Sequence, residues 1–169
     1  MHTESFQNQV GVFIPDRLSD EEKKKVFQTL TGIINDTHFH ISLYRTSVED
    51  ILAFILEMPD IHHNRFTLHF ATSLEYYGSG VLETVEYLKK NGAEIEQHRF
   101  PSPLDQVLSG QSYKEFVTRI LFQCNEVLVF NNRDGNQVSK MMRPIDIAKN
   151  LKKKSYIHYL NKNDQFVSI

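Results

Sequence analysis

Along this 169-residue chain the apolar positions switch repeatedly between alternation and a helical spacing, the pattern of strands interleaved with helices. Six short runs rich in β-branched and aromatic residues, at 10–15, 39–45, 66–73, 94–100, 126–131 and 155–160, have the length of ordinary strands. Phe66-Thr-Leu-His-Phe-Ala71 and Val127-Leu-Val-Phe130 are nearly continuous in apolar or β-branched residues, as strands covered on both faces are, and are expected at the sheet centre. Glu94-Ile-Glu-Gln-His-Arg-Phe100 alternates with charge and belongs nearer an edge.

The intervening segments announce helices by their caps. A serine oxygen accepts from a free first-turn amide while an acid three residues later reaches back. Ser19-Asp-Glu-Glu22, Ser47-Val-Glu-Asp50 and Ser112-Tyr-Lys-Glu115 fit that box, and Ser102-Pro-Leu-Asp105 adds proline at the first helical position. Lys89-Lys-Asn-Gly92 reads as a stop, with cations in the last turn and glycine where a left-handed residue is wanted. Val26, Leu30, Ile33 and Ile34, and likewise Val81, Val85 and Leu88, form core-facing stripes. Strand, helix, strand with right-handed crossovers predicts one Rossmann-like, doubly wound α/β domain over 1–169. Its sheet should be mostly parallel, of five to six strands, with helices on both faces.

Composition adds bounds. No run approaches membrane-spanning length and no signal peptide is legible, so no membrane partner is expected. The single cysteine, Cys124, reads as a buried small hydrophobe, which together with the missing leader suggests a reducing cytoplasm. A net charge of −2 argues against nucleic acid as a partner, and the lysines of 149–154 with Lys162 read as a solvated face. Association with further copies of the chain stays open.

In an open α/β sheet ligands bind beyond the carboxyl ends of the strands, where strand order reverses. That rule nominates Asp16 and Arg17 after the first strand, Arg45 and Thr46 after the second, and Thr72, Ser73 and Glu75 after the third. Arg99 and Ser102 follow the fourth, and Asn131, Asn132, Asp134 and Gly135 the fifth. The turn Gly78-Ser79-Gly80 before a helix offers backbone amides to an anion, although residue 83 is Glu where a dinucleotide fingerprint has glycine. Asn131 to Gly135 reads equally as an ordinary turn or as a grip on ribose hydroxyls. Such a rim suits a nucleotide or nucleoside-derived small molecule. Eight histidines, among them His38, His40, His62, His63 and His69, raise a metal question, but their spacing shows no convergence, and no metal or cofactor is expected.

The stretch 112–160 resembles the C-terminal half of the SLOG superfamily and of its relatives the nucleoside 2-deoxyribosyltransferases. It holds a helix ending in Phe122-Gln-Cys-Asn-Glu126, the strand Val127 to Phe130, an Asp-Gly loop, and Ile145-Asp-Ile-Ala148 running into lysines before Tyr156-Ile-His158. Phe13-Ile-Pro-Asp-Arg-Leu-Ser-Asp-Glu-Glu22 is similar to the first strand, loop and capped helix of those proteins. The resemblance implies binding of nucleotides, nucleosides or nucleotide-derived signals, with N-glycosidic cleavage in some members. Two departures matter: Arg143-Pro144 stands where the transferases carry an acid, with Asp146 two residues on, and the phosphoribohydrolase Pro-Gly-Gly-x-Gly-Thr signature is absent.

The resulting expectation is nucleotide binding at the carboxyl edge of the sheet through Asp16, Arg45, Thr72, Ser73, Gly78, Ser79, Gly80, Arg99, Asn131, Asn132 and Gly135. If the chain is an enzyme, Glu75 or Asp134 would stabilise an oxocarbenium-like sugar carbon, and both should then lie near one cavity. The alternative is a sensor, sequestering module or interaction domain without chemistry.

Overall fold

The structure, a computed structural model, describes residues 8–15, 17–44, 48–100, 110–132 and 144–160, with the backbone of 165–168. Its elements run β1 (Asn8–Phe13), α1 (Asp20–Gly32), β2 (Thr37–Leu43), α2 (Val48–Glu57), β3 (Phe66–Phe70), α3 (Ser79–Lys90), β4 (Glu94–Gln97), α4 (Gly110–Leu121), β5 (Glu126–Asn131), α5 (Pro144–Asn150), β6 (Lys154–Tyr159) and β7 (Gln165–Ser168). Short 3-10 turns occupy Asp60–Arg65 and Leu74–Tyr76. The strands form one sheet in the order β4-β3-β2-β1-β5-β6-β7. The first six are parallel, as the sequence predicts, and β7 adds an antiparallel edge that the sequence reading does not assign.

Strand order explains the layering. The chain lays β2, β3 and β4 outward on one side of β1, then returns to place β5 and β6 on the other. Right-handed crossovers taken in opposite directions put their helices on opposite faces. Accordingly α1, α2 and α3 pack Val26, Leu30, Ile51, Ile55, Val85 and Leu88 against Val12, Phe39, Ile41, Phe66 and Leu68. Phe116, Val117, Ile120 and Leu121 of α4 with Ile147 and Ala148 of α5 cover Phe13 and Val127 on the reverse face.

The sheet centre is β2-β1-β5, which corrects the expectation that β3 and β5 share it; β3 lies one strand in from the edge strand β4. β2 escaped notice because it reads Thr-His-Phe-His-Ile-Ser-Leu, an alternation typical of a half-exposed strand, yet all seven residues are buried. Its polar face is covered rather than wet.

The caps work largely as the sequence indicates. Ser19 Oγ accepts from the Glu22 amide at 3.1 Å and Glu22 Oε1 accepts from the Ser19 amide at 2.9 Å, a reciprocal box opening α1. Ser19→Ala should therefore cost about 1 kcal/mol in urea unfolding, with the slope of the transition unchanged. Gly92 after α3 takes φ +102, and a Cβ there would stand 2.9 Å from Asn64 Cβ, so glycine is required twice over. Ser112 is no cap: α4 starts earlier, at Gly110, which puts Ser112 inside its first turn. Ile33 ends α1 and is 43% exposed, since the helix stops before its stripe returns to the core. Ser47 and 102–105 lie outside the described residues. Cys124 is buried as expected, its Sγ 3.2 Å from the Ile120 carbonyl and its thiol pushed up to about 12 by burial. Among the described residues no helix is long and apolar enough to cross a membrane.

Candidate functional site

The switch point of the sheet falls between β1 and β5, whose carboxyl ends diverge into different loops. From β1 the chain passes half-buried Ile14 and Pro15 to exposed Arg17 and the capped start of α1. From β5 it passes Asn131, whose carbonyl accepts from the Leu160 amide at 2.9 Å, to half-buried Asn132. Asn132 Nδ2 donates to the Arg17 carbonyl at 2.6 Å and to Glu22 Oε1 at 3.3 Å. The two loops are thus stitched together at the switch point. The Glu22 carboxylate sits on the first turn of α1, so the chain's own anion already meets the amides and dipole there.

The nominated residues after β3 and β4 that the structure describes lie farther off. Asp16, Arg45, Asp134 and Gly135 fall outside the described residues, as do Thr46, Ser102 and Arg143. Thr72 and Ser73 are buried at the end of β3, where Gln97 Oε1 accepts from the Leu74 amide at 2.8 Å and lies 3.4 Å from Ser73 Oγ. Those bonds fasten the post-β3 loop to β4. Glu75 is exposed, with Ser73 Oγ 3.3 Å from its Oε1. Three strand spacings, about 14 Å, separate β3 from β5, so Glu75 follows a strand three places from β5. Gly78 caps α3 without a side-chain hydrogen bond, and Gly78, Ser79 and Gly80 are exposed with open space where a Cβ would stand at either glycine. Packing therefore does not demand glycine there. Arg99, exposed at φ 57, follows the edge strand, four places from β5. A groove of about 320 Å³ lies between α1 and α2, floored by Phe27 and Phe54, in the helical layer and not at the carboxyl edge.

The polar side of β2 reveals a second constellation. Gln9 Oε1 lies 2.8 Å from His40 Nε2, His40 Nδ1 lies 3.0 Å from His69 Nε2, and His69 Nδ1 lies 3.0 Å from His98 Nε2. An amide oxygen only accepts, so His40 carries its proton on Nε2 and offers the Nδ1 lone pair to His69. The same logic passes down the row: each neutral imidazole donates from Nε2 and accepts at Nδ1. Beside it, His38 Nε2 donates to Thr67 Oγ1 at 2.7 Å, and that hydroxyl donates to Glu94 Oε1 at 3.0 Å. His38, His40 and His69 are buried, His69 completely. Burial pushes His40 and His98 down to about 4 and His69 to about 2, so all three are neutral near pH 7.

The sequence reading missed this row because it looked for histidines close together in the chain. The usable signal was a spacing of 29 residues between each pair, one strand-helix unit per step, which places His40 on β2, His69 on β3 and His98 just past the end of β4. His63 is different. Wholly buried, its Nε2 lies 3.1 Å from both the Ile55 and Met58 carbonyls, and its Nδ1 accepts from Asn91 Nδ2 at 3.0 Å, so it closes the end of α2.

These features define the molecule as a Rossmann-like α/β protein whose loops after β1 and β5 meet at its topological switch point. Among solved structures it is similar to DNA processing protein A from Helicobacter pylori, described for its single-stranded DNA binding mode. The two share 16% identity over 94% of this chain and 68% of the other, with a TM-score of 0.61. DNA processing protein A from Streptococcus pneumoniae is similar over 89% of this chain and 50% of its own length, at 14% identity and a TM-score of 0.58. No protein-family profile and no curated protein matches the chain. At these identities the likeness concerns the fold, which is compatible with the SLOG resemblance; nothing singles out the deoxyribosyltransferase branch. The argument from net charge against nucleic acid is corrected, because a protein of this fold binds single-stranded DNA. Phosphate contacts depend on local cations along a track and not on the charge of the whole chain.

Proposed function

We propose that this chain binds nucleotide units at the carboxyl edge of its sheet, centred on the crevice between β1 and β5, and that single-stranded DNA presents them. The observation that carries the reading is the meeting of the Arg17 loop with Asn132 at the point where strand order reverses. Arg17 supplies a guanidinium fork for phosphate, and Asn131, one residue before the Asn132 that bonds the Arg17 carbonyl, carries amide chemistry suited to a base edge or sugar hydroxyl. The shared fold with a DNA-binding protein agrees with this as an analogy. Bond cleavage is left out of the proposal, since Glu75 is exposed and starts three strands from β5.

Anisotropy titration of a labelled mixed-sequence oligonucleotide across a salt series, with a nucleoside monophosphate as competitor, tests it. Binding should weaken with salt, and Arg17→Ala should flatten the slope of log K against log salt by about 0.7, one phosphate's share for a single strand. An unchanged slope, or no binding at low salt, would overturn the assignment. Binding of the monophosphate alone would reduce it to free-nucleotide recognition.

A further inference from the structure

We propose that His69, Glu96 and His98 form a divalent-metal site, taking zinc(II), on the face of the sheet that α4 covers. Among the described residues these three bring ligand atoms within 4.8 Å of one another. The separations are 3.0 Å between His69 Nδ1 and His98 Nε2, 3.6 Å between His69 Nδ1 and Glu96 Oε1, and 4.0 Å between His98 Nε2 and Glu96 Oε1. The circumradius of that triangle is about 2.1 Å, the length of a zinc bond to imidazole or carboxylate. Two neutral imidazoles and one carboxylate make a donor set that zinc favours, with a fourth position left for water.

The surroundings hold these ligands as an outer shell would. His69 Nε2–H is fixed by His40, which is fixed in turn by Gln9, so the lone pair on Nδ1 faces Glu96 and His98. Gln123 Nε2 donates to Glu96 Oε1 at 3.1 Å and orients the carboxylate. The Glu96 side chain is 38% exposed, which gives an ion a path from solvent, while His69 is sealed at the floor. Arg119, whose Nη1 donates to the His98 carbonyl at 3.4 Å, is paired with Glu115 and lies over the Phe100 ring at 4.8 Å. The proton that His98 donates to His69 occupies the space the ion would take. Binding therefore moves that proton from His98 Nε2 to Nδ1, with no net release, and parts the two rings towards the about 3.3 Å edge of a tetrahedral site.

This site is separate from the crevice, and either assignment can fail without the other. The untagged full chain, freed of metal by chelation, is titrated with zinc chloride and with cobalt(II) as a visible probe. One ion per chain is expected, with cobalt absorption typical of a four- or five-coordinate site, a higher melting temperature, and transfer of the His98 proton to Nδ1 in nitrogen-detected NMR. Glu96→Gln and His98→Gln should each weaken binding at least a hundredfold, and Gln9→Ala, which touches no metal, about tenfold. Should His98→Gln fail to fold, the part-exposed Glu96→Gln decides alone. Failure to bind, or affinity and NMR shifts unaltered by Glu96→Gln, would overturn the assignment and leave the imidazole row a structural element.

Discussion

Acidification from pH 6.5 to pH 4, with chelator present, is expected to unfold the protein steeply. An unfolded histidine titrates near 6.5, whereas burial holds His40 and His98 near 4 and His69 near 2 in the folded state, and lowers His38 as well. Below pH 6.5 the unfolded chain therefore binds more protons than the folded one, so stability falls as pH falls. The contribution is complete above pH 6.5 and is lost progressively down to the folded values. Each proton taken up on unfolding adds about 1.4 kcal/mol per pH unit, so three imidazoles give roughly 4 kcal/mol per unit at the steepest point. Against a total stability on the order of 5–15 kcal/mol, the loss of up to roughly 8 kcal/mol over two units removes a large part of it. Urea melts at half-unit steps check it. His40→Gln should remove about one proton from the slope, and a flat profile between pH 6.5 and 4 would show that the row is hydrated and not sealed.

Phe39→Ala and Phe66→Ala should each cost about 3–5 kcal/mol, the largest losses expected from a single apolar side chain. The two rings stack at 5.4 Å between β2 and β3, and neither is exposed at all. Truncating either leaves a cavity bounded by paired strand backbone, which cannot collapse without breaking the ladder between His40 and Thr67. At 2–4 °C per kcal/mol the melting temperature should fall by about 10 °C. Because the rings touch, the double variant should cost less than the sum of the two, and full additivity would contradict the stacked geometry.

Local chemistry was legible wherever the cause and the effect lie within a few residues. The Ser19 box, the Gly92 stop and the burial of Cys124 are of this kind, and each stands where the sequence placed it. The six parallel strands were legible too, since β-branched runs spaced by helical stripes leave few other topologies. The candidate sites were legible only in part. Arg17 and Asn132 lay on a rim of thirteen nominated positions, and nothing in the chain says that β1 neighbours β5 and not β3.

What the sequence by itself determined, then, is the kind of element at each position and the class of fold, because backbone propensity and capping act over three or four residues. Only the tertiary structure decided which strand ends meet. Neighbourhood in the sheet brought the loop of Arg17 to Asn132, set Glu75 after a strand three places from β5, and brought three histidines spaced 29 residues apart into direct contact. Those contacts depend on strand order and register, which no local pattern encodes: a shift of one residue would send His40 and His69 into the apolar face and Phe39 and Leu68 into the polar one.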